Sequence, residues 1–152
     1  MTRVAVVTGG ARGIGAATVR GLAAAGWAVL AVDRAGDDSR LPYGMGSEAE
    51  LHGVVATALA VSPQTTEASP DAERVVAHVA DTADPDAMVT AVARAEELYG
   101  GVDAMVAVAG VIAGGVPLLE MPREQLAAVL EVDLGGAVNA ARAAVPALLR
   151  RP

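Results

Sequence analysis

The feature that most constrains the fold is a strand, a glycine turn and a helix in immediate succession at the N-terminus. The apolar run Val4-Ala5-Val6-Val7 leads into Thr8-Gly9-Gly10-Ala11-Arg12-Gly13-Ile14-Gly15, and the helix-forming stretch Ala16 to Ala25 follows. Glycine accepts backbone angles that other residues avoid and lets the main chain come close to a ligand. A helix starting directly after such a turn points unpaired N–H groups and the positive end of its dipole at whatever sits there. The arrangement suits a nucleotide phosphate. Its spacing is TGxxxGxG, which differs from the commoner GxGxxG fingerprint.

Apolar runs and helical stretches alternate along the rest of the chain, the pattern of βαβ units and a parallel sheet. Strands are expected at about Arg3–Thr8, Ala28–Val32, Arg74–Val79 and Ala104–Ala109. Helices are expected at about Ile14–Ala25, from the capping box Ser47/Glu50 to about Val61, from Asp84-Pro85 to Tyr99, and over Arg123–Arg150. The last should bend or break near Gly135-Gly136 or Pro146. Residues 34–46, 62–71 and 110–117 read as irregular. The expected fold is an α/β Rossmann-type doubly wound parallel sheet of about four strands in order 3-2-1-4, a single domain over residues 1–152.

Composition excludes several partners. Net charge is −7 with no basic cluster beyond Arg150-Arg151, which argues against nucleic acid and anionic membrane. The absence of cysteine removes thiolate metal sites and disulfides and fits a cytoplasmic location. No stretch has the length of a membrane span. His52 and His78 lack partners at metal-ligand spacing, so no metal is expected.

Asp33 ends the second strand, eighteen residues after Gly15. A carboxylate there hydrogen-bonds the adenosine ribose and repels a 2′-phosphate, which favours NAD over NADP. Arg12, inside the turn, and Arg34, directly after Asp33, are the two side chains that would instead face a 2′-phosphate. Weighed against one solvated arginine, the carboxylate decides for NAD.

The TGxxxGxG turn resembles that of the short-chain dehydrogenase/reductase family, with Gly9, Gly13 and Gly15 as its glycines. The resemblance implies that Thr8, Gly9, Arg12, Gly13, Ile14 and Gly15 bind the cofactor. It further implies that Asp81 contacts the adenine amino group with Thr82 behind it, although Asp81 reads equally well as a cap of the Asp84-Pro85 turn. Ala109-Gly110 would lie beside the cofactor ribose. Val132-Asp133-Leu134-x-Gly136 puts Asp133 where the family carries a catalytic asparagine. The usual double asparagine before Ala-Gly is replaced by Ala107-Val108.

Three stretches are similar to the mycofactocin-coupled branch. They are Ala31-Val32-Asp33-Arg34 through Asp37-Asp38, Leu41-Pro42-Tyr43 and Glu48-Ala49-Glu50-Leu51; the 48-residue spacing from Asp33 to Asp81; and Val108 to Gly115. That similarity implies a tightly held NAD covered by an insert at about 34–72. The chain would move hydride between a small-molecule alcohol or carbonyl substrate and that cofactor. Hydride taken from an alcohol would pass on to a peptide-derived redox carrier, mycofactocin, instead of leaving as free NADH. The insert reads alternatively as surface elaboration.

All eleven basic residues are arginine. The family's Tyr-x-x-x-Lys pair, in which lysine lowers the tyrosine pKa, therefore has no counterpart: Ser47 follows Tyr43 at the fourth position and Asp103 follows Tyr99. The chain resembles the N-terminal, cofactor-binding half of an oxidoreductase that would be inactive by itself, expose apolar surface and pair as a homo-oligomer through residues 123–150. A non-catalytic NAD-binding module or degenerate fragment is the alternative. A nucleotide-sugar or methyl-donor protein fits the turn spacing less well.

Overall fold

The computed structural model describes residues 2–63 and 74–151. Four parallel strands, β1 (Val4–Thr8), β2 (Ala28–Asp33), β3 (Val75–Val79) and β4 (Ala104–Ala107), lie in the order β3-β2-β1-β4. Val4 pairs with Ala28, Val29 with Val75 and Ala5 with Ala104, so all strands start level and their carboxyl ends share one edge.

Side chains alternate across the sheet. Ala5, Val7, Val29, Ala31 and Val75 face one layer, formed by α1 (Gly13–Ala24) and α2 (Glu48–Val61). Val6, Leu30 and Val32 face the other, formed by α3 (Pro85–Tyr99) and α5 (Ala137–Leu148). Coverage on both faces explains why these strands are continuous apolar runs. The mostly Ala and Val content lets helices approach closely: Ala16, Val19, Ala23, Ala58, Ala91, Ala95, Ala140 and Ala144 are buried at the contacts.

The helix starts follow from local chemistry. Ser47 Oγ accepts from Glu50 N–H while Glu50 accepts from Ser47 N–H, closing the expected capping box. Asp84 caps α3 through the N–H groups of Asp86 and Ala87, and Gly100, with φ +80°, ends that helix. Strand β4 stops two residues earlier than expected because the Thr8 hydroxyl accepts from both Val108 and Ala109 N–H, 3.2 Å each, and turns the chain off the ladder.

The C-terminal helix, expected to bend or break, runs in three pieces. A 3₁₀ turn (Leu118–Glu120) precedes α4 (Arg123–Val129), a π-helical segment spans Leu130–Gly136, and α5 follows. The wider turn sits at the expected Gly135-Gly136. There, Gly136 packs so closely on Thr82 that an added Cβ would lie 2.6 Å from Thr82 Oγ1. Leu126, Leu130 and Leu134 of this stretch are exposed. Of the loop expected over 62–71 and the insert expected over 34–72, residues 64 onward lie outside the described residues.

Candidate functional site

The carboxyl edge of the sheet carries the glycine turn. Gly9 and Gly13 adopt φ of +68° and +53°, the left-handed region that favours glycine. A side chain at Gly9 would collide with the Ala109 backbone, 2.8 Å away, and one at Gly15 would collide with the Gly9 carbonyl oxygen. Gly13 differs, since nothing lies within 4 Å of its missing Cβ. Its glycine therefore serves the backbone angle and leaves space in front of the chain. Helix α1 begins here with Arg12 at the N-cap and no side-chain acceptor, so its first N–H groups are left for a ligand or water.

Asp33 stands half-buried at the end of β2. Its Oδ2 accepts from Ala11 N–H at 3.0 Å and its Oδ1 from Ala35 N–H at 2.9 Å. The second bond holds Ala35 at φ +55°, a conformation an L-residue adopts at a cost of about 1 kcal/mol. Each carboxylate oxygen keeps a second lone pair for a donor in the cavity.

From Arg34 the chain forms a strap over the cavity, residues 34–46, held by charges. Asp38, 4% exposed, accepts from Arg40 Nε and Nη2 and from Arg34 Nη1. These hydrogen bonds, led by Arg40, hold its carboxyl well below the usual carboxylate range. Arg40 also donates to Glu131 in the π-helical segment at 2.5 Å. Tyr43 Oη accepts from Ile112 N–H at 2.8 Å, tying the strap to the loop after β4.

Asp81 and Thr82 follow β3. Asp81 Oδ1 accepts from Ala83 N–H at 2.9 Å, and Oδ2 lies 3.4 Å from Arg34 Nε. The α3 cap is Asp84 itself. Thr82 is buried, and Asn139 Nδ2 donates to its carbonyl at 3.0 Å. Across the site, Val108 and Ala109 lie beside Gly9, and Gly110 lies beside Asp133. Asp133 is exposed, and its Oδ1 accepts from Val111 N–H at 2.8 Å.

These parts enclose a cavity of about 390 Å³. Of the residues expected at a cofactor, Gly9, Arg12, Gly13, Ile14, Gly15, Asp33, Arg34, Asp81, Thr82, Ala109 and Gly110 line it. Thr8 does not: it is buried beneath and positions Val108 and Ala109. Asp133 also lies off the wall, fixing the loop through Val111. Sequence reasoning missed Tyr43, Met45 and Gly46 on the wall and the Arg12–Glu50 pair beside it. Gly46 carries the only local signal. An added Cβ there would lie 3.0 Å from Ala11 Cβ and 3.2 Å from Asp33 Oδ1, tighter than ordinary contact, so a larger residue would have to push these neighbours aside.

The fold has counterparts among known proteins. The family model for short chain dehydrogenase matches residues 3–42 and 44–152. A 1-deoxy-11-beta-hydroxypentalenate dehydrogenase of Streptomyces arenae is 36% identical over 151 residues, 99% of this chain and 46% of the relative. Carveol dehydrogenase from Mycobacterium avium, in complex with NAD, superposes with a TM-score of 0.84 at 26% identity, covering 97% of this chain and 50% of that one. A short chain dehydrogenase from Mycobacterium paratuberculosis bound to NAD gives 0.83 at 32%, over 97% and 51%. A metagenomic short-chain oxidoreductase in complex with NADP gives 0.76 at 28%, over 97% and 57%. The chain thus spans about half the length of the proteins it matches.

Proposed function

This chain belongs to the short chain dehydrogenase family, and from that premise we propose that it forms the NAD-binding part of an oxidoreductase moving hydride between an alcohol or carbonyl substrate and a nicotinamide dinucleotide. The observation that carries the reading is the single cavity in which the glycine turn, Asp33, Asp81 and Ala109-Gly110 converge. The space before Gly13 and the side-chain-free start of α1 suit a pyrophosphate. The remaining lone pairs of Asp33 suit ribose hydroxyls, and Asp81 with Thr82 would border the adenine. When bound, NAD supplies the nicotinamide that accepts or returns hydride.

The preference for NAD over NADP rests on Asp33, because a carboxylate beside a phosphate dianion is repulsive. Two NAD-bound counterparts support the reading, and an NADP-bound one marks the alternative. The strap, anchored by Asp38, Arg40 and Tyr43, supports a tightly held cofactor whose hydride passes to a peptide-derived carrier of the mycofactocin type. Asp133 occupies the place of the family's relay asparagine, and its bond to Val111 makes it foremost a positioning residue here. A cytoplasmic location completes the reading, with self-association through residues 123–150, where Leu126, Leu130 and Leu134 are exposed. Among the described residues no helix is long and apolar enough to cross a membrane.

Because the 152 residues include no lysine, we expect these residues to bind dinucleotide without turning over substrate. The same observation favours a second reading, a non-catalytic NAD-binding module. Calorimetric titration with NAD tests both, and no heat of binding at millimolar cofactor contradicts both. Turnover by a longer product carrying a Ser and a Tyr-x-x-x-Lys supports the enzyme, and none supports the module.

A further inference from the structure

Two arginines border the acidic end of the cavity, and a ribose 2′-phosphate would need one of them. Both are engaged by carboxylates. Arg34 reaches Asp38 at 3.1 Å and Asp81 at 3.4 Å. Arg12 is held more completely. Its Nε donates to Glu50 Oε1 at 2.8 Å and its Nη2 to Glu50 Oε2 at 2.7 Å, a bidentate pair, while Nη1 donates to the Gly44 carbonyl at 3.0 Å.

Glu50 is itself fixed. Its Oε2 also accepts from Ser47 N–H and from Ser47 Oγ, both at 2.9 Å, so the capping box of α2 holds the carboxylate against Arg12, a residue of the cavity wall. We infer that Glu50 is a specificity-determining residue for the dinucleotide: by occupying the fork of Arg12 it withholds the one cation of the glycine turn from a 2′-phosphate. This rests on the reading that the cavity holds a dinucleotide.

The physical consequence is a double barrier. A 2′-phosphate that took the Nε/Nη2 fork of Arg12 would displace both oxygens of Glu50, and the displaced carboxylate would then stand near the dianion together with Asp33. The hydrogen bonds from Ser47 favour the carboxylate staying at the start of α2 when Arg12 leaves it. The Arg12 hydrogen bond, then those from Ser47, draw the Glu50 carboxyl down to about 2, so it stays charged at any physiological pH. Asp33 and Asp37 add to the negative field on Arg12. Discrimination is thereby shared between the end of β2 and the start of α2, two elements with no sequence motif in common.

The test is the ratio of NADP to NAD dissociation constants, measured by titration of the whole chain as wild type, Glu50→Gln, Glu50→Ala and Arg12→Gln/Glu50→Gln. Glutamine keeps the reach to Ser47 N–H and removes the charge that holds Arg12; alanine also removes the cap. Both single variants are expected to shift the ratio toward NADP by about tenfold, the equivalent of about 1.4 kcal/mol. The double variant is expected to return it to the wild-type value, because the gain is Arg12's. A ratio unchanged in both single variants while the wild type binds NAD overturns the inference alone. A shift that survives loss of Arg12 overturns it as well. A wild-type chain that binds neither dinucleotide overturns the cofactor reading and the inference with it.

Discussion

Helices α1 and α2 start within a few ångströms of one another and are built in opposite ways. Helix α2 begins at Ser47, whose hydroxyl and backbone exchange hydrogen bonds with Glu50. Helix α1 begins at Arg12 after a glycine turn, with no side-chain cap. The first satisfies its own N–H groups, and the second leaves them facing a cavity. Arg12 and Glu50 then join the two starts. A helix terminus closed by its own residues stabilises the fold, whereas one left open beside a cavity has sacrificed that stabilisation for a ligand.

The comparison breaks first at Gly15. Gly15→Ala puts a Cβ into the Gly9 carbonyl, so the turn must open. We expect a loss of about 3 kcal/mol in denaturant unfolding and no dinucleotide binding. A variant that unfolds at the wild-type midpoint and still binds would mean that the open start of α1 is not shaped by close packing.

Asp38→Ala is expected to cost about 2 kcal/mol. Removing the buried carboxylate leaves Arg34 only Asp81 and Arg40 only Glu131, and both arginines are about one-third exposed, so solvent recovers part of the loss. Faster amide hydrogen exchange over residues 34–46 should accompany it, while β1 and α1 exchange as before. Unchanged exchange there would show that the strap is not held by these charges.

Ser47→Ala, which opens the closed terminus, should cost about 1 kcal/mol by urea titration. A cost near zero would erase the contrast between the two helix starts.

Acid provides the gentlest probe. Glu50 is drawn to about 2 from an ordinary 4.5, and Asp38 lies well below its ordinary 3.8. Both values are depressed on folding, so both contributions are present above pH about 4.5 and are lost as pH falls toward 2. Melting temperature should fall over that window, and less steeply in Glu50→Gln. A melting temperature that rises on acidification contradicts the assignment.

The two helix starts also differ in how well the sequence announces them. The Ser47/Glu50 box, Asp84-Pro85 and the glycine turn are local signals, each complete within eight residues, and the elements they begin lie within a residue or two of expectation. The strand order follows from the alternation of apolar runs and helices. Contacts such as Arg12 with Glu50, Arg40 with Glu131 and Tyr43 with Ile112 bridge 38, 91 and 69 residues. No periodicity marks them, because they depend on where the finished sheet brings loop ends together. For the same reason Thr8 reads as a cofactor residue in sequence and sits beneath the site in space. The shortening of β4 likewise depends on one hydroxyl a hundred residues away.

The most direct measurement is amide hydrogen exchange of the chain with and without NAD. Our account expects protection to concentrate in residues 9–15, 34–46 and 108–111, which meet at the cavity, with α3 and α5 little changed. Binding of NAD with no protection at residues 9–15 would contradict it, because the open start of α1 would then not be where the dinucleotide sits.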